Sequence, residues 1–436
     1  MLRATNAWIA GAAAVLCAAG TAAAQPTGRA VFVGHYYPQG TVASFRVNAD
    51  GSLTHAGTVP SVEWTQSIAL SPDGRWLAAG AGSAADTFEP LRIFRVNADA
   101  SLEIYHDTMV PDSPLEMVWL APDLLAVLET DTVASRLGIY RWFPETPQLV
   151  EIEREIVGGF TSHIAYHPGS EYVYTQVSTG SLEGPHIRRW RINPNGTLEA
   201  AGTFHTDCYP LDPVFSPRGD FLFAGGGISF GRHAVLSFLV SEEEGGLIPA
   251  LGSPFTSPGN SPAFLAVMGD GRILAVGHGT DSTVRTFFIH PDGTLTDTGH
   301  SFLVQNLTGS IGEIAAIADV LYVTDDTSAL DGVQGIYSLR VGADGSMTPL
   351  GPILDTGTPR PEGAIAVWDP TRLCPADFDG NSVVNSADIS AFLSRWLEDV
   401  TVGGGYADFD ASGTTNSSDI SAFLSRWLAA VTGNCA

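Results

Sequence analysis

The chain has no lysine: all 21 of its basic residues are arginine, set against 47 Asp and Glu, for a formal charge of −26. Without that amine there is no Schiff base, no pyridoxal attachment and no P-loop, so those chemistries are excluded. Such an excess of acid also disfavours nucleic acid and anionic membrane surfaces as partners. Cysteine is scarce, with four in 436 residues, and no apolar run after residue 24 is long enough to cross a bilayer. No G-x-S-x-G sequence occurs, Gly259-Asn-Ser-Pro-Ala263 being a near miss. Gly225-Gly226-Gly227 has no helical pattern behind it and reads as a turn rather than a phosphate cradle.

What is present begins with an export signal. Arg3 precedes an apolar stretch from Trp8 to Gly20, and Ala22-Ala23-Ala24 before Gln25 has the small-residue form of a cleavage site. Residues 1–24 are expected to be removed and the mature protein to be secreted, extracellular or cell-surface associated. Cys17 leaves with the signal. Cys374 and Cys435 bracket a C-terminal segment, and in an oxidising compartment a bridge between them is the obvious pairing. Closing that loop would contribute roughly 4 kcal/mol. Cys208 is left alone and reads as a buried structural thiol.

Between residues 28 and 370 one phrase recurs: Phe45-Arg-Val-Asn-Ala-Asp-Gly-Ser-Leu53, then close relatives starting at Phe94, Trp190, Phe287 and Leu339, with degenerate copies near Tyr140 and Phe238. That makes seven copies about 49 residues apart. Each is a strand, a tight turn and a second strand, the signature of a hairpin. A second hairpin alternates with it, turning at Ser71-Pro-Asp-Gly74, Ala121-Pro-Asp123, His167-Pro-Gly169, Ser216-Pro-Arg-Gly219 and Gly269-Asp-Gly271. Four strands per period point to a propeller blade, and seven periods to seven blades. The first phrase lacks a preceding inner strand, while Glu362 to Trp368 is an inner strand with nothing after it. The two termini are therefore expected to share one blade.

The Ser-Pro-Asp-Gly turn and Leu321-Tyr-Val-Thr-Asp-Asp326 resemble the YVTN and lactonase-like propellers. Aligned on their turns, the inner strands put Gln66, Glu116 and Ser162 at one position, and Ser67, Met117, His163, Asp212, Phe264 and Glu313 at the next, with Glu362 close to that level. These should ring the mouth of the central channel. The resemblance implies an Arg-His pair at one such strand start; here the matching Ser162-His163 keeps the His and lacks the Arg, and Ser178 stands where the family often has an acid. His163 as acid or base, with Glu116, Asp212 or Glu313 beside it, is the catalytic candidate set. His163 and His167 lie on a strand pattern and do not form a helical zinc pair.

At the C-terminus the decapeptide Asp388-Ile-Ser-Ala-Phe-Leu-Ser-Arg-Trp-Leu397 returns 31 residues later as Asp419 to Leu428. Each copy ends an acidic loop. Asp377, Asp379, Asn381, Val383, Asn385 and Asp388 occupy positions 1, 3, 5, 7, 9 and 12 of a calcium loop, and Asp408, Asp410, Ser412, Thr414, Asn416 and Asp419 repeat them. The apolar residues after each loop fall at helical spacing. Position 12 is Asp rather than the Glu of an EF-hand, position 6 of the first loop is Ser382 rather than Gly, and neither loop has an incoming helix. This pair of half EF-hands resembles a dockerin, a calcium-dependent module that binds cohesins. The resemblance implies two Ca2+ ions and partner contacts at Ser386, Ala387, Leu393 and Ser394, and at Ser417, Ser418, Leu424 and Ser425.

The expected fold is an all-β seven-bladed propeller over residues 25–370 with a small all-α EF-hand-like, dockerin-type domain over 371–436. The missing Arg favours a noncatalytic, secreted scaffold that docks on a cohesin-like surface partner and binds a protein or glycan at its propeller face. The alternative is a secreted lactonase-like or carbohydrate-active enzyme with its site at the channel mouth.

Overall fold

A computed structural model describes residues 26–431 apart from 37–39, 83–88, 132–133, 168–169, 178–183, 227–232, 242–244, 305–310, 326–333, 358–360, 362–363, 371–375, 377, 379–383, 403–406, 408 and 410–413. The expected export signal, Cys374, Cys435, Glu362 and Ser178 lie outside them.

Seven antiparallel sheets are arranged as blades, six of four strands and one with an added short strand, Phe255–Thr256. Numbered along the chain, the innermost strands are Thr65–Leu70 in blade 2, Ser113–Ala121 in blade 3 and Ile164–Tyr166 in blade 4. Pro210–Phe215, Pro262–Val267 and Ile311–Ile317 serve blades 5, 6 and 7. Blade 1 takes its innermost strand, Ile365–Trp368, from the far end of the propeller, where it pairs with Ala30–Val33. The shared blade anticipated from the repeat count closes the ring. Trp368 anchors it: its indole N–H donates to Pro26 O at 3.2 Å, and its ring leaves no room for a side chain at Gly74.

The recurrent phrase owes its constancy to its turn. Asp50 Oδ1 accepts from both the backbone N–H and the hydroxyl of Ser52, at 3.0 and 2.6 Å, and Gly51 adopts φ +80°. Asp99 with Ser101, Asp292 with Thr294 and Asp344 with Ser346 repeat the bonds. These hydrogen bonds favour the ionised form and hold Asp50, Asp99, Asp292 and Asp344 below the usual carboxylate range. In the second copy Ala100 replaces glycine and still takes φ +67°.

The core is divided into seven apolar clusters, each filling the gap between neighbouring blades. Leu77 and Phe94 of blade 2 meet Phe32 and Trp368 of blade 1, and Phe45 of blade 1 meets Tyr322 of blade 7. This division explains the strand pattern: both faces of a middle strand are covered, so Leu124–Thr130 is buried throughout, while the outermost strands alternate with solvent.

Two helices follow, α1 (Ser386–Val402) and α2 (Ser417–Val431). Phe392 and Phe423 stack with centroids 4.3 Å apart, and the duplication is reciprocal: the Trp396 indole donates to Asn416 O at 2.7 Å and that of Trp427 to Asn385 O at 2.8 Å. Asn385 and Asn416 cap the helices, accepting from the N–H of Ala387 and of Ser418. Of the two loops, residues 377, 379–383, 408 and 410–413 lie outside the described residues. The Arg218 guanidinium lies 4.3 Å from the Phe378 ring centroid, which sets this segment against the Ser216–Gly219 turn, at the opposite end of the blade 5 inner strand from Asp212.

Candidate functional site

The site is built where the innermost strands begin. These starts are irregular: the ladders shift register between Thr65 and Ser67, Pro114 and Glu116, Leu211 and Val214, Pro262 and Phe264, and Ile311 and Ile314. Each shift leaves one or two residues out of the ladder and re-aims the side chains beside it. Asp212 sits in such a shift at φ +41°.

Three carboxyl groups use this geometry, on alternate blades 3, 5 and 7. Glu116 Oε2 accepts from the N–H of Ile164 in blade 4 at 2.6 Å, and Asp212 Oδ2 from Leu265 in blade 6 at 2.5 Å. Glu313 Oε1 accepts from Ile314, next to it in sequence, at 2.9 Å. In each group one oxygen is tied to a backbone amide, and the other has no hydrogen-bond partner among the described residues. None of these second oxygens is sealed from solvent. All three side chains keep some accessible surface while protein surrounds them, as on the wall of an axial channel.

Burial is the main influence on their ionisation. It pushes Asp212 up to about 7, against the opposing Leu265 N–H bond. Glu116 is raised well above the usual range by burial and then by the nearby charges of Asp212 and Glu313, and Glu313 by burial and then by Asp212. Each acid thus disfavours ionisation of the next, so their titrations are linked.

His163 precedes the blade 4 inner strand. Its Nδ1 lies 2.9 Å from Ser162 Oγ, which accepts from the Gln176 amide at 2.7 Å. With the amide in this orientation, the Ser162 hydroxyl donates to Nδ1 and the imidazole proton sits on Nε2. Burial lowers the His163 pKa to about 4, so the ring is neutral at physiological pH.

The ring of candidates is only partly as aligned. Glu116 stands opposite Leu128, the level that Ser67 takes opposite Gly80 and His163 takes opposite Gln176, so it is one position deeper than Gln66 and Ser162. A shorter turn at Ala121 to Leu124 and a second register shift between Trp119 and Ala121 cause the difference. Ser67 Oγ donates to Pro114 O, tying blades 2 and 3. Met117 lies in the core between blades 2 and 3, and Phe264 packs against the core between blades 6 and 7. His167 packs edge-on against Phe215 and is no partner to His163. Gln176, which holds the Ser162–His163 pair, carries no sequence signal because it sits inside an apolar second strand.

In the C-terminal segment Asp388 and Asp419 are buried, and each accepts from a backbone N–H three residues earlier, of Asn385 and Asn416. Asp419 also accepts from Phe409 N–H at 2.7 Å. Asp377, Asp379, Asn381, Val383, Asp408, Asp410 and Ser412 lie outside the described residues. Leu393 and Leu424 are each 40% exposed, while Ser394 and Ser425 turn their hydroxyls back onto the helix. Cys208 is buried, in the core between blades 4 and 5.

No family model and no curated protein matches the sequence. Among solved structures, a periplasmic gluconolactonase of Pseudomonas aeruginosa superposes with TM-score 0.63 at 17% identity, covering 78% of this chain and 98% of that one. A Bacteroides uniformis protein provisionally designated a 6-phosphogluconolactonase gives TM-score 0.64 at 15% identity, covering 78% and 99%. A functionally unknown protein of Desulfotomaculum acetoxidans gives 0.58 at 15%, covering 79% and 100%. The chain has the fold of these propellers. At such identity the likeness speaks to fold. The expectation of a noncatalytic scaffold is corrected to this extent: the propellers that superpose over nearly their whole length include one described as a gluconolactonase. Among the described residues no helix is long and apolar enough to cross a membrane.

Proposed function

We propose that the propeller is a lactonase-like hydrolase acting on a carbohydrate-type cyclic ester at the channel mouth. The observation that carries this reading is the placement of Glu116, Asp212 and Glu313 beside the inner-strand starts of alternate blades, each with one oxygen tied to a backbone amide and one untied. Asp212, with its pKa near 7, takes a proton from the water that attacks the ring carbonyl and returns it to the leaving ring oxygen. Carboxyl groups held protonated donate to the carbonyl oxygen as negative charge develops there. Neutral His163 donates through Nε2–H to the same oxygen, so these donors supply what the family's arginine would.

The C-terminal segment belongs to the proposal as a calcium-dependent anchor, with two Ca2+ ions held by the two loops and a cohesin-like partner met at the paired positions beginning at Ser386 and Ser417. Secretion, the Cys374–Cys435 bridge and domain limits of 25–370 and 371–436 complete it.

The test is hydrolysis of a panel of sugar lactones by the mature protein and by His163→Ala. Turnover that falls about a hundredfold in the variant is expected for loss of one oxyanion donor. Turnover absent from the wild type, or undiminished in the variant, would contradict the reading.

A further inference from the structure

Gln176 is out of keeping with its place in the fold. It stands in the second strand of blade 4, Tyr172–Val177, where its N–H donates to His163 O at 3.2 Å and its side chain is fully buried. Four other blades hold glycine at this level: Gly34 donates in the same way to Ala364 O, Gly80 faces Ser67, Gly225 faces Leu211 and Gly277 faces Phe264. The ladder needs only backbone there, and burying a primary amide is costly unless it is hydrogen-bonded. This amide bonds at one end. Its Nε2 lies 2.7 Å from Ser162 Oγ and 3.5 Å from His163 Nδ1, while Oε1 has no partner among the described residues.

Resting on the lactonase-like reading, we propose that Gln176 is a positioning residue: acting through the Ser162 hydroxyl, it keeps the imidazole proton of His163 on Nε2, so that the ring serves the channel as a hydrogen-bond donor and not as a base. The chain has one polarity. An amide N–H donates and cannot accept, so the single hydroxyl proton of Ser162 is left to point at Nδ1, 2.9 Å away, and Nδ1 is bare. An acceptor at position 176 would reverse every bond. Ser162 would donate to it, Nδ1–H would donate to Ser162, and the lone pair of Nε2 would be left for the channel.

The experiment reads the imidazole 15N shifts of the full mature protein, labelled at histidine, from pH 6 to pH 9, with His163 identified through His163→Ala. Wild-type His163 should be the Nε2–H tautomer throughout; an Nδ1–H tautomer overturns the inference. Gln176→Glu keeps the size and becomes an acceptor on ionising, so Nδ1 should take up a proton as the pH rises. A ring that stays bare at Nδ1 overturns the inference too. Glu116, Asp212 and Glu313, whose carboxyl pKa values are also raised, titrate in both proteins, so the wild type controls for them. Adding Ser162→Ala should abolish the response of Gln176→Glu, and a response that persists would show that the influence does not pass through the hydroxyl.

Lactone hydrolysis by the same proteins separates this inference from the reading beneath it. As the pH rises, kcat of Gln176→Glu should fall about a hundredfold relative to wild type, for loss of one donor, with KM little changed. An unchanged kcat where the tautomer has swapped would deny Gln176 its part in the reaction. Hydrolysis absent from the wild type overturns the lactonase-like reading, and the 15N shifts then still decide whether Gln176 sets the tautomer.

Discussion

Glu116 of blade 3 reaches across to blade 4 and accepts the backbone N–H of Ile164 at 2.6 Å. Asp212 repeats this from blade 5 to Leu265 of blade 6. The same carboxyl groups thus brace neighbouring blades and line the channel, which ties the stability of the ring to the ionisation of its site.

That tie predicts a pH dependence. Asp212 has a folded pKa of about 7, above the unfolded value of 3.8, so the native state binds more protons between these limits. Its stabilising contribution is full below pH 4, is lost as pH rises through 7, and amounts to at most about 4 kcal/mol. His163 and His35, lowered to about 4, act in the opposite sense: their contribution is present above 6.5 and lost as pH falls through 4. Urea midpoints across pH 4 to 8 should therefore show Asp212→Asn gaining on the wild type as pH rises. Parallel curves would contradict the assignment.

The closing strand should be indispensable. Trp368 fills the space over Gly74 and holds Pro26, so Trp368→Ala is expected to cost about 3–5 kcal/mol. Chemical denaturation reads this directly, and a loss below about 1 kcal/mol would show that the shared blade does not depend on it.

Glycine in the recurrent turn should be irreplaceable where the neighbouring blade crowds it. A Cβ at Gly51 would stand 2.5 Å from Val320 Cγ2, at φ +80°. Gly51→Ala is expected to destabilise by about 2 kcal/mol, combining left-handed strain with displacement of Val320. A neutral substitution, measured by thermal melting, would contradict this.

Calcium should order the C-terminal module. Eight carboxylates face two arginines between Cys374 and Cys435, a balance that metal would relieve. Circular dichroism of the full chain should gain helical signal when calcium replaces chelator, and Asp377→Ala with Asp408→Ala should abolish the gain. Full helicity in chelator would count against the loops as calcium sites.

Much of the fold was legible because the repeat carries its own physics. The Asp-Gly-Ser turn needs the Asp oxygen for the Ser52 amide and hydroxyl and a residue tolerant of positive φ at Gly51, so its residues recur and mark the blades. Ring closure followed from an inner strand with no hairpin partner at Glu362 to Trp368. The inner-strand starts were legible and their register was not. His163, Glu116, Asp212 and Glu313 could be chosen from strand starts, yet the depth of Glu116 depends on a register shift and a short turn that turn alignment does not reveal. Gln176 was invisible because its role lies in one hydrogen bond to Ser162. The mutual influence of acids on alternate blades comes from the ring itself, which brings together residues nearly 200 positions apart, as Glu116 and Glu313 are.

The pH dependence of lactone hydrolysis by wild type and Asp212→Asn tests the central claim most directly. The account predicts a wild-type kcat/KM that rises with an apparent pKa near 7, as the Asp212 carboxyl loses its proton, and a variant at least about a hundredfold slower with that rise removed. A variant that keeps the wild-type rate and profile would contradict it, and would place the chemistry away from the channel mouth.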